Sequence, residues 1–369
     1  MLTTMAWNQQ NSGISVIRKL RITENGLVER TLGDSKMKTE SIMVQNLCVP
    51  CGCRCRYCLL SWDGKPVGVS WEQGIEFGKR FITEAKELRP DLTYTYAFGY
   101  SMEHPHLQEA IQFLKEIGSP QAELLQCDGM KIRDEKACRE FAAMLAGEGV
   151  KLLNFTFYGI QDYHNNFAGR PGDFEGMLRM IKAATEAGLE VSAGIPVTSE
   201  NVNQVDELIS ILNENSCQKV SVFIPHEEGR GKVLAPVRLK EKDLDGLSDK
   251  SRALLNRKTY RTEREWITAS GYEEETKRLL IVSLTPDSIE HYKDMSVSEI
   301  IAEIENLDDE YYKAFPSFSE LAKMNGDVNG DKLYRQRDLF YHYRSLYAQE
   351  HAITVYDVTD ERQSGSRRY

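Results

Sequence analysis

Residues 41–58 read SIMVQNLCVPCGCRCRYC and join a short apolar segment directly to a dense run of cysteines. Five of the eight cysteines in the chain lie between Cys48 and Cys58. The segment SIMVQNL is a short, mostly apolar run, which is typical of a buried strand. The cysteines are therefore predicted to follow a strand immediately, and the spacing between them decides which chemistry they serve.

Short apolar segments of the same kind recur up to residue 225 and alternate with helical patterns. The strand candidates are SIMVQNL (41–47), LTYTYAF (92–98), AELLQ (122–126), LLNFTFYG (152–159), LEVSAGIPV (189–197) and KVSVFIP (219–225). Helical periodicity covers residues 107–117, 174–187 and 205–212, and a glycine ends each of the first two. Six strand–helix units predict parallel strands in a barrel or an open sheet, with the chemistry at their carboxyl ends.

The two ends of the chain differ from this middle part. In residues 1–40, two strand-like runs flank Glu24-Asn25-Gly26, a predicted hairpin turn, so we expect an appended segment. After residue 236 the strand–helix alternation is predicted to end. The last third is expected to be mostly helical, with a capping box of Ser296 and Glu299. The predicted organisation is 1–40, an α/β unit over 41–235 and a helical region over 236–369.

Composition limits the class of protein. The 369 residues are 41% hydrophobic and 28% charged, as in soluble globular proteins. No apolar run approaches the ~20 residues that span a bilayer, and the amino terminus lacks a signal-peptide pattern. We therefore expect a cytoplasmic protein without a membrane partner, whose thiols stay reduced. A formal net charge of −10 argues against a nucleic-acid partner.

Two common metal sites fit the cysteines poorly. Cys48 with Cys51 and Cys55 with Cys58 form two CxxC pairs, but only three residues separate them. Structural zinc sites of this type usually place a dozen or more residues between their pairs, so zinc is the minority interpretation. A ferredoxin pattern of C-x2-C-x2-C-x3-C requires a cysteine at position 54, which is Arg54.

The third interpretation takes Cys51, Cys55 and Cys58, spaced C-x3-C-x2-C. Three thiolates can hold three irons of a [4Fe–4S] cube and leave one iron open, and an open coordination position marks a reactive metal centre. This spacing, with the aromatic Tyr57 just before the last cysteine, resembles the motif of the radical S-adenosylmethionine (radical SAM) enzymes. The resemblance covers about residues 41–235.

The resemblance implies a fold and a set of cofactors. It implies a partial (βα)6 barrel with a mostly helical carboxyl-terminal extension. Cys51, Cys55 and Cys58 would hold one [4Fe–4S] cluster, whose open iron binds S-adenosylmethionine (SAM). It also implies a reducing partner such as flavodoxin or ferredoxin. Cys48 and Cys53 are expected not to hold the cluster.

Further residues resemble the SAM contacts of the family. The segment GYSMEHPHL (99–107) stands where the family has a Gly-Gly-Glu-Pro-like turn, although an ordinary strand–helix turn also explains it. The histidines in this segment are expected to make local contacts rather than bind metal. Arg170, after the fourth predicted strand, can also be explained as a surface residue. The apolar residues at the strand ends can also be explained as part of the hydrophobic core. The predicted cofactor contacts are Tyr57, Ser101, Glu103 (SAM amino group), Thr156 (ribose), Arg170 (carboxylate), and Ile195, Val197 and Phe223 (adenine).

The resemblance implies abstraction of a hydrogen atom from a substrate that the motifs do not name. The last cysteine is Cys217, so residues 218–369 offer no thiolate for the auxiliary clusters found in many peptide-modifying members. We therefore expect a small-metabolite substrate of the sugar or nucleotide type. A maturase of ribosomally made peptides is the first alternative. A non-catalytic iron–sulfur protein, serving in electron transfer or sensing, is the second.

Overall fold

The computed structural model describes residues 38–58, 68–99, 103–217, 219–227, 229–269 and 277–353. The predicted hairpin turn at residues 24–26 lies outside these ranges. Two all-parallel sheets form the centre of the described fold. The first has the strand order β2–β1–β8, with β1 at Lys38–Gln45, β2 at Thr93–Ala97 and β8 at Lys277–Ser283.

The second parallel sheet follows the order of the sequence. Its strands are β3 (Leu124–Gln126), β4 (Leu152–Thr156), β5 (Glu190–Pro196) and β6 (Lys219–Phe223). The six strands predicted from residues 41–225 are thus confirmed, each within a few residues of its predicted bounds. Their parallel pairing places the loops after β3, β4, β5 and β6 at one edge of the sheet.

Amphipathic helices connect these strands. They are α1 (Trp71–Leu88), α2 (Leu107–Glu116), α3 (Glu135–Gly147), α4 (Gln161–Ala168), α5 (Asp173–Glu186) and α6 (Val205–Glu214). Side-chain caps fix two of the starts, since Ser70 accepts from Gln73 N and Asp134 from Ala137 N. The predicted helices at 107–117, 174–187 and 205–212 are confirmed as α2, α5 and α6.

One hydrophobic core joins the two sheets. Val44 of β1 and Tyr96 of β2 belong to the same buried cluster as Leu153 and Phe155 of β4 and Val191 of β5. The faces of the helices contribute further buried side chains, among them Phe81, Ile111, Leu145, Ile181 and Leu208. The last four residues of β1 and of β5 are all buried, as expected for strands covered on both faces.

Strand β8 corrects the expectation that strand–helix alternation ends at residue 236. Its segment KRLLIVS pairs in parallel with β1, so that Val44 faces Val282. The helices α9 (Pro286–Tyr292) and α10 (Val297–Lys313) follow it, and their Tyr292, Ile300 and Ile304 enter the shared core. A short apolar run surrounded by helices does not disclose in sequence that its partner strand lies more than 200 residues away.

The remaining described elements are mostly helical, as expected. Besides short 3-10 helices, they are α7 (Asp249–Leu254), β7 (Arg261–Thr262), α8 (Glu263–Thr268), α11 (Phe318–Asn325), β9 (Leu333–Tyr334) and α12 (Gln336–Glu350). The predicted capping box is present, with Ser296 N donating to Glu299 Oε2 (2.8 Å) and Glu299 N to Ser296 Oγ (3.3 Å). None of the helices in the described ranges has the length and apolarity to cross a membrane.

Candidate metal centre

The cysteine loop, residues 51–58, follows β1 and is fixed through its backbone. Gly52 N donates to Gly129 O (3.2 Å), Arg54 N to Ala168 O (2.6 Å) and Arg56 N to Phe167 O (3.1 Å). Gly129 follows β3, and the two other acceptors belong to the last turn of α4. The carboxyl edges of the two sheets therefore face the same space.

The end of α4 provides acceptors for the cysteine loop because helix termini leave carbonyl groups without helical partners. Gly169 ends this helix in the left-handed conformation, with φ +61°. A Cβ atom at residue 169 would press against the backbone and Cβ of Arg54. The glycine thus both ends the helix and allows the loop to approach its last carbonyls.

Two of the predicted ligand thiols accept hydrogen bonds. The sulfur of half-buried Cys51 accepts from Cys53 N (3.5 Å), and that of buried Cys55 accepts from the hydroxyl of Tyr158 (3.2 Å). Hydrogen bonds to sulfur stabilise the thiolate state, which is the form that binds iron. Cys58 closes the loop, with its N–H donating to Cys55 O (3.1 Å).

The two other thiols in this stretch have different partners. Cys53 is buried, and its thiol donates to Asp173 Oδ2 at 3.5 Å. Cys48 lies 3.2 Å from His104 Nε2 and 4.0 Å from the Phe98 carbonyl. The Cys53 side chain also hydrogen-bonds with the side chains of Cys51 and Cys55. That neither Cys48 nor Cys53 is a cluster ligand remains a prediction.

A buried pair of polar side chains, His164 and Asp173, lies next to the cysteine loop. His164 Nδ1 accepts from Tyr158 N (3.1 Å), so the ring proton lies on Nε2 and is donated to Asp173 Oδ2 (3.2 Å). Arg170 Nη1 donates to Asp173 Oδ1 (3.2 Å) and to Met130 O (2.5 Å). The structure thus places Arg170 as a brace between α5 and the loop after β3, and its predicted contact with the SAM carboxylate remains a prediction.

Aromatic rings cover one side of the cysteine loop. Tyr57 packs on Phe167 (5.6 Å between ring centroids) and meets Tyr158 edge-on (5.9 Å). Tyr158 stacks on Phe167 at 4.4 Å. Burial is the main reason that the pKa values of Tyr57 and Tyr158 are raised, so both hydroxyls stay protonated. The rings shield the thiols from water on this side.

Glu103 and Thr156 have protein partners. Both oxygens of Glu103 accept from Arg133, at 2.6 and 2.9 Å, and Oε1 also accepts from Lys131 N (2.7 Å). Thr156 donates through its hydroxyl to Asp128 Oδ2 (2.8 Å). A SAM amino group at Glu103 would share the carboxylate with Arg133, and a ribose at Thr156 would have to donate to its oxygen.

Of the remaining residues predicted to contact the cofactor, three are buried or partly buried and one lies outside the described residues. Ile195 and Val197, at the end of β5, have no exposed surface and belong to the shared core. Phe223 is partly buried at the end of β6, next to Gly194. Ser101 lies outside the described residues. The roles predicted for these residues towards adenine and SAM remain predictions.

Two residues of this site were not identified from the sequence. Asp128 follows β3 and accepts from Thr156 N, Thr156 Oγ1 and Gln126 Nε2 at 2.7–2.8 Å. Burial raises the pKa of Asp128 to about 6 and outweighs these hydrogen bonds. An acidic residue directly after a strand at the carboxyl edge was a usable signal. Tyr158, two residues after Thr156, had no signal beyond its place in that loop.

The donor set fits a [4Fe–4S] cube. In the metal-free protein, a hydrogen bond with the Cys53 side chain and burial raise the pKa of Cys51, so iron would displace its proton. The described ranges contain no three His, Cys, Asp or Glu side chains placed to share one metal ion. A cube binds each thiolate through a different iron, so its ligands need a common space rather than a common point.

Comparisons with known proteins find similarity to radical SAM enzymes. No protein-family model matches the chain. Fe-coproporphyrin III synthase of Methanosarcina barkeri, a radical SAM enzyme, is 22% identical over 190 residues, or 52% of this chain and 45% of that protein. The chain thus matches less than half the length of this curated relative.

Solved structures of radical SAM enzymes are also similar. The structure of anSMEcpe with bound AdoMet and Kp18Cys peptide is 15% identical, with a TM-score of 0.47, over 88% of this chain and 100% of that one. Streptococcus suis SuiB bound to its precursor peptide SuiA is 13% identical, with a TM-score of 0.39, over 58% and 50% of the two chains.

The chain is similar in sequence to a radical SAM enzyme, and the spacing of Cys51, Cys55 and Cys58 and their position after a parallel strand resemble the cluster motif of that superfamily. Enzymes of this superfamily bind SAM and a [4Fe–4S] cluster, and these are the cofactors that the site implies.

Proposed function

We propose that this protein holds one [4Fe–4S] cluster through Cys51, Cys55 and Cys58 and uses it to cleave SAM reductively. When bound, the cluster would supply the electron that converts SAM into methionine and a 5′-deoxyadenosyl radical, which takes a hydrogen atom from the substrate. The hydrogen bonds to the sulfurs of Cys51 and Cys55 are the observation that most supports this proposal, since donors to a ligand sulfur stabilise the thiolate that holds iron.

The protein's own residues would position the loop and limit water. The bonds of Arg54 and Arg56 to the end of α4 hold the loop in one conformation. The rings of Tyr57, Tyr158 and Phe167 cover it with apolar surface. A rigid, partly dry loop suits a reactive radical, because water and mobile groups allow side reactions.

The strands β1 to β6 would together make the partial barrel of this proposal, over residues 41–235, with β8 (Lys277–Ser283) pairing beside β1. The backbone bond between Gly52 and Gly129 supports this arrangement, because it joins the carboxyl edge of one sheet to that of the other. We propose that residues 236–369 form the substrate-specific part and that a flavodoxin or ferredoxin supplies the electron in the cytoplasm.

The test is SAM cleavage by the anaerobically reconstituted protein reduced with dithionite. We expect 5′-deoxyadenosine from the wild type and none from Cys51→Ala. Cys48→Ala is the matched control, because its thiol lies next to His104, and it should retain cleavage. A wild-type protein that holds a full cluster but forms no 5′-deoxyadenosine would contradict the proposal and favour the electron-transfer alternative.

For the substrate, we propose a small metabolite of the sugar or nucleotide type, with a ribosomally made peptide as the alternative. Small-molecule candidates and any short peptide encoded beside the gene are each prepared with deuterium at carbon. Transfer of deuterium into 5′-deoxyadenosine identifies the substrate. Transfer from the peptide alone would replace the small-metabolite proposal.

A further inference from the structure

Tyr158 contacts the cysteine loop through its hydroxyl, which donates to Cys55 Sγ at 3.2 Å. The residue lies just after β4, and only 6% of its surface is exposed. A thiolate is a better hydrogen-bond acceptor than a thiol, since it carries a full negative charge. The contact is therefore expected to persist and strengthen when Cys55 binds iron.

The ring of Tyr158 is held in place from several sides. It stacks on Phe167 (4.4 Å) and on His164 (5.3 Å), and Tyr57 meets it edge-on. These neighbours leave the hydroxyl directed at the loop, because a buried ring changes its side-chain angles only if its neighbours move.

The backbone of Tyr158 is fixed as well. Its N–H donates to His164 Nδ1 (3.1 Å), and its carbonyl accepts from Asn201 Nδ2 (2.6 Å). Asn201 is buried and also donates to Pro196 O (2.8 Å) at the end of β5. Residues on α4 and after β5 thus position the hydroxyl relative to Cys55.

We propose that Tyr158 is a positioning residue that raises the reduction potential of the cluster through its hydrogen bond to Cys55. This rests on the proposed function, in that Cys55 holds an iron. Reduction adds one negative charge to the cluster, and part of that charge lies on the ligand sulfurs. A donor to sulfur stabilises the reduced state more than the oxidised state, which raises the potential.

The effect of a hydrogen bond to sulfur on the reduction potential can be tested by a side-chain substitution at Cys55, but not at Cys51. The sulfur of Cys51 accepts from the backbone N–H of Cys53, which no side-chain change removes. At Cys55 the donor is a side-chain hydroxyl, and Tyr158→Phe removes that single oxygen while the stacked ring remains. Tyr163→Phe is the matched control, because this hydroxyl also lies beside Phe167 but donates to Glu200 Oε2 (2.9 Å).

The experiment is a redox titration of the reconstituted cluster, followed by electron paramagnetic resonance without SAM. Iron and sulfide content are measured on the same samples. We expect about four irons per chain in all three proteins. The midpoint potential of Tyr158→Phe should be more negative than that of the wild type, and that of Tyr163→Phe should match it. An unchanged or more positive potential in fully loaded Tyr158→Phe would overturn the proposal.

A second measurement keeps the proposal testable if Tyr158→Phe fails to assemble a cluster. Wild type and Tyr163→Phe are produced with 3-fluorotyrosine in place of tyrosine, which makes each phenol a stronger donor. Both potentials should then become more positive by the same amount, and no positive change would refute the role of Tyr158. The potential separates this proposal from SAM cleavage: a loaded wild type that forms no 5′-deoxyadenosine contradicts only the proposed function, and a wild type that holds no cluster contradicts both.

Discussion

Arg133 and Glu103 form a two-pronged ion pair, with Nη1 donating to Oε1 at 2.6 Å and Nη2 to Oε2 at 2.9 Å. Such pairs fix both side chains in one plane. Glu103 follows β2 and Arg133 follows β3, so the pair joins loops at the carboxyl edges of two strands that belong to different sheets.

This pair sharpens the prediction for SAM binding. If Glu103 also accepts from the SAM ammonium, Glu103→Ala should weaken binding by about 1.5–3 kcal/mol, which is roughly 10- to 150-fold. Calorimetric titration of the cluster-loaded protein measures this. Arg133→Met is the control, since it leaves the carboxylate in place and removes a competing cation, so SAM affinity should stay equal or increase. Equal losses in both variants would show that the ion pair matters only for the structure.

Iron content tests the assignment of the thiols. Alanine at Cys51, Cys55 or Cys58 should abolish the cluster, whereas alanine at Cys48 or Cys53 should leave about four irons per chain. The reason is that Cys51, Cys55 and Cys58 already supply three ligands, while Cys53 donates to Asp173 and Cys48 lies beside His104 in the metal-free protein. Iron and sulfide assays with absorbance spectra give the answer. Iron near eight per chain, or loss of the cluster in Cys53→Ala, would show a wrong assignment.

The raised pKa of Asp128 predicts an unusual pH dependence of stability. Its folded pKa, about 6, exceeds the ordinary value of 3.8, so the folded state binds the proton more tightly. The stabilisation is complete below pH 3.8 and is lost as the pH rises through about 6. From pH 4 to 7, the free energy of unfolding of the metal-free wild type should fall relative to Asp128→Asn, on the order of 2 kcal/mol.

Urea denaturation of both proteins at several pH values measures this difference. The substitution itself has a cost, because an amide replaces one oxygen that accepts hydrogen bonds from Thr156 and Gln126. That cost does not depend on pH. The test is therefore how the difference in unfolding free energy between the two proteins changes with pH. A difference that stays constant from pH 4 to 7 would mean that the Asp128 carboxyl titrates normally.

What the sequence could predict depends on the range of the interactions. The strands from β1 to β6 are local apolar runs with helices between them, so their positions followed from pattern alone. The trio of Cys51, Cys55 and Cys58 is equally local, since spacing within eight residues defines it. The pairing of β8 with β1 joins segments more than 200 residues apart, and no local pattern contains that information.

The supporting residues of the site show the same limit. Tyr158 meets Cys55 across a separation of 103 residues, and Arg133 meets Glu103 across 30. Tyrosine and arginine are common in such loops, so neither residue type points to its partner. Their roles follow from tertiary packing, which brings the loops after β1, β2, β3 and β4 together.

Gly129 allows a prediction about how closely the loops approach. Its φ is +68°, and a Cβ atom there would collide with the sulfur of Cys51. Gly118 has a nearly identical φ of +66°, with no atom within 4 Å of the same position. An alanine at either site destabilises the protein by about 1–2 kcal/mol, because its Cβ atom is unfavourable in the left-handed backbone conformation. Only Gly129→Ala also displaces a proposed cluster ligand.

We therefore expect Gly118→Ala to lower thermal stability and keep about four irons per chain. Gly129→Ala should lose stability by a larger amount and bind much less iron, because Cys51 must move to make room. Thermal unfolding of the metal-free proteins and iron assays after reconstitution separate the two effects. Full iron content in Gly129→Ala would mean that Cys51 is not held against the loop after β3, and the backbone bond from Gly52 to Gly129 would then have no part in shaping the site.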